Sequence, residues 1–475
     1  MGLTLHSYQK AALKWLIRET FLKGRRGAAL WMDPGLGKTI TTLAWLKLAR
    51  AMDCVSKTLI VSSPRVVQDV WPAEIDAWEK FDFSYTLVEG TPAKREKLLH
   101  EPTDIHLMSV DSLNWLKKLR EADKKRTNPN LYWDALIVDE SSKFRSWTSQ
   151  RTLALRKLLY QTQTKKRDEA WWFDYVIGLT GTPTANTLLH LFPQIWMLDQ
   201  AECLGVPNIT QFKEKWFIPD PFIRGKVEAK PDVEGEIMDL CRHLVFRIDG
   251  EEELKLPECI VNDVLVKLPK AVKTKYNKLH REMKVEIEEK GLKIVAKHAG
   301  SKYNLCRQFA NGSVYDRKGE AHQVHKAKLN ALGDLIDELQ GKPLLILHPF
   351  TSDINRFREL VPKMPGINSE TTTAEFRNLC EDWNAGRIPV MSAQCQGVAH
   401  GLNLQKGGCQ DVAWFGVPDD LDIYLQGIKR VHRQGVSGKV RVHRFLTEGT
   451  VDEDIIKSLY EKGQSQDKVL ESAKK

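Results

Sequence analysis

The stretch "LWMDPGLGKTIT", residues 30–41, decides how the chain is read. It all but spells the phosphate-binding pattern G-x-x-x-x-G-K-[ST], with Met32 where the first glycine would stand. Apolar residues lead into it, Gly35 and Gly37 supply a tight turn, and Lys38 and Thr39 open the helical pattern "TITTLAWLKLARA". A strand that delivers a glycine turn to a helix N-terminus aims consecutive backbone N–H groups at an anion. On that reading Pro34, Gly35, Leu36, Gly37, Lys38 and Thr39 form the cradle. Lys38 adds a point charge for β- and γ-phosphates, and the Thr39 hydroxyl can ligate Mg²⁺.

The loop is the first of a series. Short apolar runs recur, each ending in a polar or glycine-bearing loop: "GAALWM" (27–32), "TLIVSSP" (58–64), "IHLMSV" (105–110), "ALIVDES" (135–141) and "YVIGLTGTP" (175–183). Runs this short with helical patterns between them predict buried parallel strands in a βαβ series, an α/β sheet with helices on both faces. A second series follows: "PLLILHP" (343–349), "IPVMSA" (388–393), "DVAWFGV" (411–417) and "KVRVHRFL" (439–446), closed by a helix starting near "TVDEDIIKSLY" (450–460). Between the series, "RIDGEEELKLPECIVNDVLVKLP" (247–269) reads as a crossover with an exposed strand, and residues 270–340 as charged helices. The expected organisation is an N-terminal domain over 1–245, a linker and helical insertion over 246–340, and a C-terminal domain over 341–475.

Length and composition agree. A chain of 475 residues is long enough for more than one domain of ordinary size. No run reaches the roughly 20 apolar residues of a membrane span. The first residues, "MGLTLHSYQK", lack a secretory pattern, and His6 stands where a myristoylation signal needs Ser or Thr, so the start reads as mature protein. Eight cysteines without a C-x-x-C pair argue against a zinc ribbon or a disulfide framework and fit a reducing, cytoplasm-like compartment. The net charge of +9 attracts polyanions.

Two further constellations carry chemistry. "LIVDES" (136–141) ends an apolar strand in Asp139 and Glu140, where one carboxylate would hold Mg²⁺ and its neighbour polarise an attacking water. Downstream of a glycine-lysine-threonine loop in the same sheet, the pair points to an NTPase. "YLQGIKRVHRQG" (424–435) carries Arg430 and Arg433 three residues apart, on one face if helical, as candidates to neutralise charge in the transition state.

Order and wording resemble the Swi/Snf-like ATPases of helicase superfamily two over nearly the whole chain. "LHSYQK" (5–10) resembles the family's opening motif, whose glutamine, here Gln9, reads the adenine edge. "MDPGLGKT" resembles motif I, in which the first P-loop glycine is also commonly absent. "SSPRVVQDVW" (62–71) resembles motif Ia, "VDES" motif II and "GLTGTP" (178–183) motif III. "LLILHPF" (344–350), "SAQCQGVAHGLNLQ" (392–405) and "QGIKRVHRQG" (426–435) resemble motifs IV, V and VI. The resemblance implies two tandem RecA-like domains with parallel sheets flanked by helices, and a helical insertion before the second. It implies ATP with Mg²⁺ between the halves, Gln426 facing the nucleotide, and Thr180, Gly181, Thr182, Gly401 and Asn403 coupling the cleft to the track.

The chain departs from the family twice. Motif II reads Asp-Glu-Ser-Ser where Asp-Glu-Ala/Gly-His is usual, so the histidine's contact toward motif III falls to Ser142 or is not made. Motif VI ends "HRQGV" rather than "HRIGQ" but keeps both arginines. The expected activity is an ATP-dependent duplex-DNA translocase or remodelling motor working in a prokaryotic or virus-infected cytoplasm. A strand-separating DNA or RNA helicase, or the motor subunit of a larger DNA-processing complex, are the other readings. Grips on phosphate suit a motor that passes any sequence. Ser63, Arg65, Ser109, Ser392 and Gln394 are the candidates, together with Lys326 and Lys328 on the basic insertion.

Overall fold

The computed structural model describes residues 4–123, 128–161, 170–221, 226–282, 284–287, 292–295, 299–395 and 404–474. The chain forms two compact units, Met1–Leu254 with Gly463–Lys475, and Lys255–Lys462.

The first unit is built on seven strands: β1 (Gly27–Met32), β2 (Thr58–Ser62), β3 (Tyr85–Val88), β4 (Ile105–Ser109), β5 (Ala135–Asp139), β6 (Tyr175–Thr180) and β7 (Val245–Ile248). They pair in the order β7-β1-β6-β5-β2-β4-β3, every pair parallel. The central strands are apolar on both faces because helices cover both. Ala28, Leu30 and Met32 join the core beneath Ser7–Ile17 and Lys38–Ala51, while Ala29 and Trp31 face the opposite core with Leu191–Asp199 and Val233–Cys241. Val469, Leu470 and Ala473 belong to that second core.

All five expected strands form. The two that were not expected, β3 and β7, sit at the sheet's edges. There one side is only half covered, so "YTLV" and "VFRI" keep polar residues and lose the continuous apolar run.

The second unit carries six parallel strands: β8 (Cys259–Val266), β9 (Leu344–His348), β10 (Gly366–Ile367), β11 (Val390–Gln394), β12 (Asp411–Trp414) and β13 (Val440–Thr447). Their order is β8-β13-β12-β9-β11-β10. The exposed crossover strand is therefore an edge strand of this sheet.

The described helices of the insertion pack within the second unit. Helix Ala327–Leu339 places Leu329, Leu332, Leu335 and Leu339 in one core with Leu344 and Ile346 of β9. Helices Lys270–Glu282 and Ala299–Asn311 close a second core around Tyr276, Leu279 and Phe309. Lys328 is 0 % exposed, with Nζ 2.7 Å from Asp452 Oδ2 and donating to Asn311 Oδ1 at 3.0 Å. Among the described residues no helix is long and apolar enough to cross a membrane.

Candidate functional site

Gly35 and Gly37 both take positive φ, 92° and 77°, and Gly37 is the N-cap of helix Lys38–Ala51. A side chain at Gly37 would be strained at this φ and would put its Cβ 2.3 Å from Gln9 Nε2, so glycine is favoured there. Gln9 lies against the loop: its Nε2 donates to the Leu36 carbonyl at 3.1 Å and its Oε1 accepts from His6 N at 2.9 Å. Lys38 Nζ donates to the carbonyls of Met32 at 2.7 Å and Asp33 at 3.4 Å. The Met32 side chain is buried in the same core as Leu36, its φ is not positive, and its carbonyl accepts from Lys38 Nζ. The position therefore has no need of glycine. Pro34 and Thr39 are half-buried and Leu36 is buried.

Asp139 ends β5 and is buried. Its Oδ2 accepts from Trp71 Nε1 at 3.0 Å and its Oδ1 from the Glu140 N–H at 3.0 Å. Burial, and after it the charge of Glu140, pushes the Asp139 carboxyl up to about 6, against the pull of Lys38 and the Trp71 bond. Glu140 itself has φ 53°, a left-handed conformation that a non-glycine residue rarely adopts, at the turn where a strand must present an acid. Lys143 Nζ lies 3.4 Å from its Oε2.

Strand β6 runs between β1 and β5, so the loop Thr180–Gly181–Thr182 emerges between the glycine turn and the acid pair. Thr180 Oγ1 accepts from Thr182 N at 3.1 Å. The link from motif II to motif III is made by Ser141, not Ser142. Ser141 Oγ donates to Gln194 Oε1 at 3.1 Å, and Gln194 Nε2 donates to Pro183 O at 2.6 Å.

Trp71, Gln194 and a clamp on Asp33 were missed from sequence. Arg247 Nη1 lies 3.3 Å from Asp33 Oδ1, and Gly250 N donates to Oδ2 at 3.1 Å. Trp71 closes the quoted motif Ia stretch, which could have flagged it. No local signal marks Gln194 or Arg247.

In the second unit, helix Leu421–Ile428 stops before the arginines. Backbone bonds tighten to Arg430 N→Gly427 O and Val431 N→Ile428 O, Val431 is buried, and the His432 ring lies 2.7 Å from Pro257 O. Arg430 and Arg433 thus stand in the turn after the helix rather than on one helical face. Gln426 is buried, its Nε2 donating to Asp422 Oδ1 at 2.8 Å. Gly401 and Asn403 lie outside the described residues.

The expected nucleic-acid contacts separate by burial. Arg65, Ser109 and Gln394 are half-buried, and Lys326 is exposed with Nζ 2.7 Å from Glu359 Oε2. Ser63, Ser392 and Lys328 are buried. Lys328 Nζ lies 2.7 Å from Asp452 Oδ2, so its charge is met inside the fold and the grip expected of it is not made.

A parallel sheet whose first strand feeds a glycine turn and lysine-led helix, with an acid pair ending a nearby strand, defines a P-loop nucleotide-binding protein. The family described as "SNF2-related domain" fits residues 8–323, and the chain belongs to that family. "Putative protein p41" of Acyrthosiphon pisum secondary endosymbiont phage 1 is 27% identical over 94% of this chain and 95% of its own length. "Putative ATP-dependent helicase/translocase YwqA" of Bacillus subtilis is 23% identical over 99% of this chain, which spans only 49% of it. The solved Sulfolobus solfataricus SWI2/SNF2 ATPase core in complex with dsDNA is 20% identical, with a TM-score of 0.44 over 99% of this chain and 93% of that one.

Proposed function

We propose that the chain is a nucleic-acid-stimulated ATPase that tracks along or remodels duplex DNA. The observation that best supports this is the set of Lys38, Thr39, Asp139 and Glu140 at the carboxyl end of one parallel sheet, with the Thr180–Thr182 loop between them. In the reaction, water attacks the γ-phosphorus and ADP leaves. Lys38 exchanges its two carbonyl partners for phosphate oxygens, Glu140 orients the water and takes its proton, and Arg430 and Arg433 stabilise the transferring phosphoryl group. Gln9 recognises the adenine edge, and Gln426 faces the nucleotide. Thr39 and Asp139 offer the hard oxygen donors that suit Mg²⁺, which when bound neutralises phosphate charge. A cation there would also offset the cost of ionising the buried Asp139.

Arg65, Ser109, Gln394 and Lys326 are the candidate phosphate grips, and Gly401 and Asn403 are placed with the coupling residues by the resemblance alone. A net charge of +9 favours such contacts. The expected place of work is the cytoplasm of a prokaryotic or virus-infected cell.

The test measures hydrolysis with no nucleic acid, single-stranded DNA, duplex DNA and RNA, with Lys38→Ala as the blank. Duplex DNA should stimulate most, and the stimulation should fall steeply with salt. Triplex displacement without forked-duplex unwinding would distinguish tracking from strand separation. Stimulation by RNA alone overturns the proposal.

A further inference from the structure

Gln194 lies in helix Leu191–Asp199, outside every motif that the resemblance recovers. It is 2 % exposed, yet each end of its amide is occupied. Its Oε1 accepts from Ser141 Oγ at 3.1 Å, and its Nε2 donates to the carbonyls of Pro183 at 2.6 Å and His190 at 2.9 Å. The chemistry fixes the orientation. Two carbonyls can be satisfied only by the NH₂ end, so the oxygen must face the serine hydroxyl.

The two partners are not arbitrary. Ser141 directly follows Glu140 in the buried turn after β5, and Pro183 directly follows Thr182. One buried amide therefore joins the acid pair to the threonine loop of the neighbouring strand. A shift of either turn that breaks one of these bonds leaves a buried polar group unsatisfied, which is costly.

Resting on the ATPase reading above, we infer that Gln194 is a positioning residue. It holds the Asp139–Glu140 turn and the Thr180–Thr182 loop as one body, so that a change at one is felt at the other. It fills the place left by the family's motif II histidine from a different element. It acts through Ser141 and Pro183.

The test compares wild type with Gln194→Met, which keeps the side chain's length but not its polar ends, and Ser141→Ala, which cuts the same bridge with a small change. The readouts are the ratio of duplex-stimulated to basal kcat, the Kd for a fluorescent ATP analogue, the KM for ATP, and the Tm. Both variants should lower the stimulation ratio about tenfold, the scale of one lost buried hydrogen-bonded link. Kd and KM should move less than about twofold, since nothing in ground-state binding is removed. The double variant should be no worse than the more severe single one, as expected for two ends of one bridge.

Stimulated and basal rates that fall in proportion, together with Tm, mean a packing role and overturn the inference. So does a double variant whose effect is the product of the singles. A wild type that is stimulated while Gln194→Met is stimulated equally overturns this inference alone. A wild type that no nucleic acid stimulates overturns the motor reading and this inference with it.

Discussion

Trp71 holds the Asp139 carboxylate by its only polar atom, 3.0 Å from Oδ2. A donor to the ionised form lowers a carboxyl's pKa, so removing it should raise that of Asp139 further and let a proton compete better with a metal ion. Trp71→Phe keeps an aromatic ring in the core but deletes the N–H. The Mg²⁺ concentration giving half-maximal hydrolysis should rise about threefold to tenfold, with hydrolysis at saturating Mg²⁺ recovering most of its rate. A titration of rate against Mg²⁺ measures this, and an unchanged midpoint would show that the bond does not govern the carboxylate. The sequence made Lys38, Thr39, Asp139 and Glu140 legible because each lies where a strand ends and a turn begins, a pattern written in neighbouring residues. Trp71 and Gln194 act across 68 and 53 residues, and no local periodicity records a contact over that separation.

Helix Ala327–Leu339 shows what happens when the same reasoning is applied to a charged element. Lys326 at its N-cap, Lys328 and the nearby aromatics suggest a basic face for DNA, because charge in a helical pattern normally marks solvent. The leucine spacing was the stronger signal: Leu329, Leu332, Leu335 and Leu339 turn that face to the sheet and carry Lys328 inward with it. Burial of a charge is tolerated here because Asp452 Oδ2 stands 2.7 Å away, and that oxygen also accepts from Thr447 N at 2.8 Å. Lys328→Met should therefore strand a buried carboxylate at a cost of about 3 to 5 kcal/mol. Lys328→Met with Asp452→Asn should recover part of the loss. Thermal melts of the single and double variants check this. A single variant with unchanged Tm but weaker DNA binding would restore Lys328 as a surface grip.

At the scale of the whole molecule, each unit holds a buried neutral histidine, and together they set a dependence on pH. His106, on β4, accepts from Trp133 Nε1 at 3.1 Å, and burial, then the charge of Lys57, lowers its pKa to about 4. In the second unit His325 accepts from Ala327 N on Nδ1, so its Nε2–H donates to Phe309 O at 2.7 Å; burial foremost lowers its pKa to about 4 as well. The sign follows from proton counts. Between pH 6.5 and 4 the unfolded chain binds protons on these histidines that the folded chain refuses, so stability falls as pH falls through that window. Above 6.5 neither state is protonated, and below 4 the loss is complete, at about 3 kcal/mol for each histidine. Asp139 and Asp353, whose carboxyls are raised by burial, run the other way over part of the same window, so the wild-type curve alone cannot isolate the histidines. A difference can. His106→Gln keeps an acceptor for Trp133 but cannot titrate. Its Tm relative to wild type should rise by roughly 6 to 12 °C between pH 6.5 and 4. The contributions of the carboxylates cancel in that comparison, provided they lie too far from His106 to couple with it. A flat difference across the window would mean that His106 is charged in the folded protein and that its buried site is wetter than the packing implies.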